Sequence, residues 1–173
     1  SDSSPVMNVD EDGISVVDST TLAATLSTYP LSPLSAAEAD GLAFMREEEQ
    51  LAHDVYAASA ARWALPVFTH ITSSEATHSA AIKALLDRYL QPDPLAGLVN
   101  GQFKSPAFQA LYDSLVATSS LGLVDALKVG VEIEELDIRD IAAQAAAADN
   151  ADILRVYDNL ARGSRNHLRA YMK

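Results

Sequence analysis

The sequence predicts an all-α protein, a four-helix bundle with one additional short helix. Three observations lead there. Apolar residues recur at three- and four-residue steps along four long segments. Hydrophobic residues make up 49% of the chain, with only 6% aromatic and abundant Ala. The body of the chain shows no strand-like alternation and no strong hairpin dipeptide. At 173 residues the chain fits one domain, or one domain with an arm.

Residues 1–35, rich in Ser, Thr, Asp and Pro, read as an extended polar N-terminal arm, in which Ile14–Val17 is suited to an extended contact. Residues 36–173 read as the bundle. Ser35 is an N-cap with Glu38 at the capping-box position, so helix 1 starts at 36 and runs to about 64, before Leu65-Pro66. Helix 2 runs from about 67 to 90 and is stopped by Pro92 and Pro94. Residues 91–104, with Gly97 and Gly101, form a long loop. Ser105-Pro106 opens a short helix to about 117, with Pro at its first position. Helix 3 spans about 120–148, Asp149-Asn150 is a turn or cap, and helix 4 spans about 151–171. Two short connections and one long one give two antiparallel hairpins joined by a crossover. That is the connectivity of a ferritin-like bundle.

Composition excludes several function classes. The chain has no Cys, which rules out disulfides, thiolate metal sites, iron–sulfur clusters and a Cys nucleophile. Any metal must be held by His and carboxylates. The net charge of −12 argues against nucleic acid and anionic membranes as partners. The acidic excess reads mostly as solvated surface, Glu47 included. No apolar run reaches about 18 residues, so no membrane span is expected. The polar start Ser1–Pro5 fits the stub left by a removed export signal, a weak lean to an extracytoplasmic location.

The chemistry lies where the apolar stripes are interrupted. Helix 2 reads Ile71, Glu75, His78, Ile82, Leu85, a Glu-x-x-His pair on its inner face. Helix 3 reads Val124, Leu127, Val131, Glu134, Ile138, Ile141, with Asp137 near the same face. Helix 4 reads Ile153, Val156, Leu160, Ser164, His167, Tyr171. Helix 1 allows two stripes, one through Met45, Glu49, Ala52 and Tyr56, the other through Phe44, Glu48, Leu51 and Val55. Each helix therefore carries an inward polar group near mid-length. A buried carboxylate without a partner costs several kcal/mol. Groups meeting at one level need a shared cation or a proton-sharing network. Two His and three or four carboxylates suit iron, manganese or zinc. Taken singly, each of these features is commonly structural; their joint placement on four helices carries the reading. His53 and His70 fit no such pattern and read as surface residues.

The segments Met45–Tyr56, Ser74–His78, Val129–Ile138 and Gly163–Tyr171 together resemble a bacterial and archaeal family of ferritin-like proteins, a domain of unknown function. The likeness covers about residues 36–172. More distantly the pattern is similar to rubrerythrin and bacterioferritin, with a Glu on helices 1 and 3 and Glu-x-x-His on helices 2 and 4. The resemblance implies Glu49 as the helix-1 ligand, since Ala52 and Tyr56 follow at the family's spacing. It implies a metal site of Glu49, Glu75, His78, Glu134 and His167, with Asp137 and Glu48 as spare or supporting ligands. Tyr56 reads as a hydrogen-bond donor or electron source beside the site, or as a packed core tyrosine. Helix 4 departs from the pattern: Ser164 stands where the family has a carboxylate, which places a full di-iron site in question.

Three functions follow as expectations. The first is an iron-dependent oxidoreductase of ferroxidase or peroxidase type, with one or two iron ions, acting on oxygen or peroxide. The second is a non-enzymatic metal storage or delivery protein. The third is a metal-free structural module. Bundles of this kind often pair, so a homodimer is among the expected partners.

Overall fold

The structure, a computed structural model, describes residues 8–9, 15–16 and 19–173. Its body is helical: α1 (Ser19–Ser27), α2 (Ala36–Trp63), α3 (Pro66–Arg88), α4 (Pro106–Ser119), α5 (Leu123–Ala146) and α6 (Ala151–Tyr171). Ahead of them, β1 (Asn8–Val9) pairs antiparallel with β2 (Ser15–Val16), Asn8 opposite Val16. The neighbouring Ile14 and Val17 lie outside the described residues.

The helix ends follow local chemistry. The Ser35 hydroxyl accepts from the Glu38 amide, and the Glu38 carboxylate accepts from the Ser35 amide, a complete capping box. Ala64, with φ of 50°, terminates α2 in the left-handed region, and Pro66 opens α3 at once. Ser105 caps α4 through the Phe108 amide, with Pro106 next. The observed boundaries of α2 to α6 agree with the expected ones to within a turn.

The N-terminal segment differs from expectation. An extended arm is predicted over 1–35, yet Ser19–Ser27 is a helix. Leu22 and Leu26, one turn apart, are buried against the main core. The Arg88 guanidinium donates to the Tyr29 carbonyl (2.6 Å) and ties the end of this segment to α3.

Helices α2 and α3 form one hairpin and α5 and α6 another; α2 also packs on α5, and α3 on α6. The connection between hairpins carries α4, which packs on α2 and α5. The apolar core is split in two. One half gathers Leu42, Met45, Ile82, Leu85, Ile141 and Leu160. The other gathers Leu51, Val55, Phe68, Ile71, Ile133 and Tyr171. On every long helix the residues between the two halves are the polar ones, so a polar layer crosses the bundle at mid-height.

Candidate metal centre

That layer is built from Glu48 and Glu49 of α2, Glu75 and His78 of α3, Glu134 and Asp137 of α5, and Ser164 and His167 of α6. All are at most 2% exposed. Register explains the meeting. Glu75 and His78 sit three residues apart and project to one side of α3. Glu48 and Glu49 are adjacent and straddle the inner face of α2, so both overlapping stripes turn inward, with only Phe44 half-buried. On α5 the buried face runs through Ala126, Val129, Ile133 and Asp137, while Val124 is 62% exposed. The expected stripe there is rotated, which moves Asp137 from the margin to the interior.

Two ligand groups emerge, each with potential ligand atoms within 4.8 Å of one another: Glu49, Glu75 and His78, and Glu75, Glu134 and His167. Glu75 belongs to both. His78 Nδ1 lies 3.3 Å from Glu49 Oε2 and 3.3 Å from Glu75 Oε2. His167 Nδ1 lies 3.0 Å from Glu75 Oε1 and 3.3 Å from Glu134 Oε1. The two imidazoles are nearly parallel, with centroids 5.5 Å apart. Glu75 thus stands between two His–carboxylate pairs, as a bridging ligand would.

Tyr56 donates to Glu134 Oε1 at 2.9 Å and lies 3.3 Å from the Gly130 carbonyl oxygen. Its ring packs on Tyr171, centroids 5.3 Å apart. The Tyr171 ring fits because position 130 is glycine: a Cβ there would lie 2.8 Å from it. The Ser164 hydroxyl donates to Asp137 Oδ2 at 2.6 Å. A serine on α6 therefore orients a carboxylate from α5 toward the layer.

Electrostatically the layer is under strain without a cation. Five carboxylates face two histidines, so even with both rings protonated a net buried charge of three negatives would remain. Among the described residues, no hydrogen bond reaches either oxygen of Glu48 or Glu49, nor Oε2 of Glu75 and Glu134, nor Oδ1 of Asp137. Protonation relieves part of this charge. Burial, then the neighbouring Glu75, pushes the Glu49 carboxyl up to about 8. Burial and Glu134 push Glu75 up to about 7, against the lowering effect of Glu49 and His167. Burial and Asp137 raise Glu48, and burial and Glu49 raise Asp137. Burial alone would lower His167, but Glu134 and Glu75 outweigh it and raise the ring well above the usual imidazole range.

Other acidic residues fall elsewhere. Glu47 is only 6% exposed, which corrects its expected place on the surface. Its Oε1 accepts from the amides of Lys104 (2.6 Å) and Ser105 (3.1 Å), just ahead of α4. Asp54 is buried and accepts from the Gly101 amide at 2.7 Å, where φ is +85° and glycine is favoured. His53 leans on Asp54 at 2.7 Å and is partly buried, whereas His70 is exposed as expected. Asp152 pairs with Arg88 and accepts from the Tyr89 hydroxyl. Glu38 also reaches the Asn150 amide at 2.9 Å. These four carboxylates find donors in the polypeptide. Only Glu38 is marked by its local sequence, through the capping box with Ser35; Glu47, Asp54 and Asp152 find Lys104, Gly101 and Arg88 in distant segments, although His53 stands beside Asp54.

The model of the family described as "Uncharacterized protein domain (DUF2202)" matches residues 38–173. The chain belongs to that family. It is 47% identical over 148 residues to uncharacterized protein MJ0754 of Methanocaldococcus jannaschii, covering 86% of this chain and 80% of that protein. A crystal structure of hypothetical protein MJ0754 superposes with a TM-score of 0.80 at 48% identity, over 82% of this chain and 81% of the other. The matched family region contains the whole polar layer. No described helix is long and apolar enough to cross a membrane.

Proposed function

We propose that this DUF2202 protein is a ferritin-like metal-binding bundle whose buried site holds one or two ions, iron first, with manganese or zinc as alternatives. One observation carries the reading: two His–carboxylate groups interlock through Glu75, with buried carboxylate oxygens that receive no hydrogen bond. A cation among them would satisfy acceptors that the polypeptide leaves without a donor. The donor set of carboxylates and imidazoles suits first-row metals. The paired-hairpin connectivity supports the ferritin-like assignment by analogy of fold.

In this reading Glu49 and His78 would hold one ion, Glu134 and His167 the second, and Glu75 would bridge. Bound iron would supply one-electron chemistry toward oxygen or peroxide. The chain's own part is to exclude water with the two apolar half-cores, to fix Glu134 through Tyr56, and to fix Asp137 through Ser164. Tyr56 is thus a positioning residue for Glu134.

A second reading, metal storage or delivery without turnover, is favoured by Ser164. It stands on α6 where the rubrerythrin-like pattern has a carboxylate, so that position adds no ligand to either group. Oxygen or peroxide consumption by the iron-loaded protein separates the two, and its absence with stoichiometric iron would favour storage. Both rest on binding itself. Metal analysis of protein purified without chelator should find about one or two equivalents. Protein that is metal-free and takes up neither iron, manganese nor zinc would leave a purely structural module.

A further inference from the structure

Glu48 belongs to neither ligand group, yet it is 2% exposed and both of its oxygens lack a hydrogen bond among the described residues. It lies within hydrogen-bonding reach of two other acceptors, Asp137 and Asp140, which are one turn apart on α5. Asp140 is only partly buried. Asp137 lies within similar reach of Glu49, and Glu49 of Glu75. Asp137 is held in place by the Ser164 hydroxyl and keeps its Oδ1 free. The carboxylates therefore form an unbroken file from the bundle surface to the inner ligands. Asp93 and Asp152, by contrast, are each paired with an arginine, Arg46 and Arg88.

A buried acceptor facing only acceptors costs stability and gives none back in the resting protein. It becomes favourable when a cation stands beside it. A fixed third site is less well supported, since Glu48, Asp137 and Asp140 do not converge as tightly as the two ligand groups do. We infer that Asp140, Glu48 and Asp137 form the intake route for divalent cations, passing them from solvent to Glu49. The inference rests on the proposed metal-binding function. The route carries the cation through a packed interior, whose apolar walls would otherwise admit a bare ion very slowly.

The test is the rate of cobalt(II) uptake by the metal-free full chain, followed by the visible absorption of the bound ion in a stopped-flow instrument. Equilibrium stoichiometry is measured alongside. Glu48→Gln and Asp140→Asn should each slow uptake by about tenfold or more while leaving the final stoichiometry unchanged. Asp140→Asn, on a partly exposed side chain, guards against a folding defect at the buried Glu48, and circular dichroism checks both variants. Wild-type uptake rates in both variants overturn the route. Loss of a cobalt equivalent in Glu48→Gln also overturns it, because Glu48 would then be a ligand. If the wild-type chain binds no cobalt, iron, manganese or zinc at equilibrium, the metal-binding function itself fails; slow or fast kinetics at full stoichiometry bears on the route alone.

Discussion

Glu75→Gln is the most informative single substitution, because Glu75 alone belongs to both ligand groups. The side chain keeps its shape and loses its charge. In the metal-free protein Glu75 is already pushed up to about 7, so at neutral pH the substitution removes an ionised form that burial disfavours. Metal-free stability should therefore stay level or rise. The metal-loaded state behaves oppositely. A ligand present at a hundredfold excess over its dissociation constant stabilises the fold by about 2.7 kcal/mol. For a domain of this size that corresponds to roughly 5–11 °C in melting temperature. The assay is thermal unfolding by circular dichroism with chelator and with excess manganese or cobalt. Wild type should show the rise and Glu75→Gln should lose most of it. A variant that keeps the full metal-induced rise would refute the bridging role of Glu75. A variant much less stable than wild type in chelator would refute the claim that its charge is a liability without metal.

Three further outcomes follow from the same structure. Glu49 and Glu75 are raised above the ordinary carboxylate value of 4.5, so the folded metal-free protein binds more protons than the unfolded chain. Their contribution is complete at low pH and is lost as pH climbs through about 7 and 8; metal-free stability should fall between pH 5 and 8 by a few kcal/mol, while saturating metal reverses the trend, as denaturant titrations at several pH values would show. Gly130→Ala places a Cβ 2.8 Å from the Tyr171 ring and should cost about 1–3 kcal/mol in chemical denaturation. Glu47→Ala strips the acceptor from the Lys104 and Ser105 amides; it should cost about 1–3 kcal/mol and speed hydrogen exchange at those amides, without changing metal stoichiometry.

The helices were legible because punctuation and periodicity agree: Ser35 with Glu38, Pro66, Ser105-Pro106 and Asn150 mark ends that the stripes independently require. The polar layer was legible for the same reason, since Glu75, His78 and His167 each stand at a position where the stripe demands an apolar residue. Asp137 was harder to place. Helix α5 has aliphatic residues on several faces, Val124 and Val131 among them, so its rotation is set by packing against α2 and α6. The helix Ser19–Ser27 was hidden by a Ser- and Thr-rich composition that favours turns in isolation; burial of Leu22 and Leu26 decides it instead. Glu47 was misread because a run of three Glu looks solvated from sequence. Its partners, the amides ahead of α4, lie nearly sixty residues away.

The central claim is that the polar layer holds metal through Glu49, Glu75, His78, Glu134 and His167. X-ray anomalous scattering measured at the iron, manganese and zinc edges, on crystals of the metal-reconstituted protein, tests it most directly. The account predicts one or two anomalous peaks between the imidazoles of His78 and His167, within bonding distance of Glu75. Reconstituted crystals with no peak there, or with metal bound only at the protein surface, would contradict it.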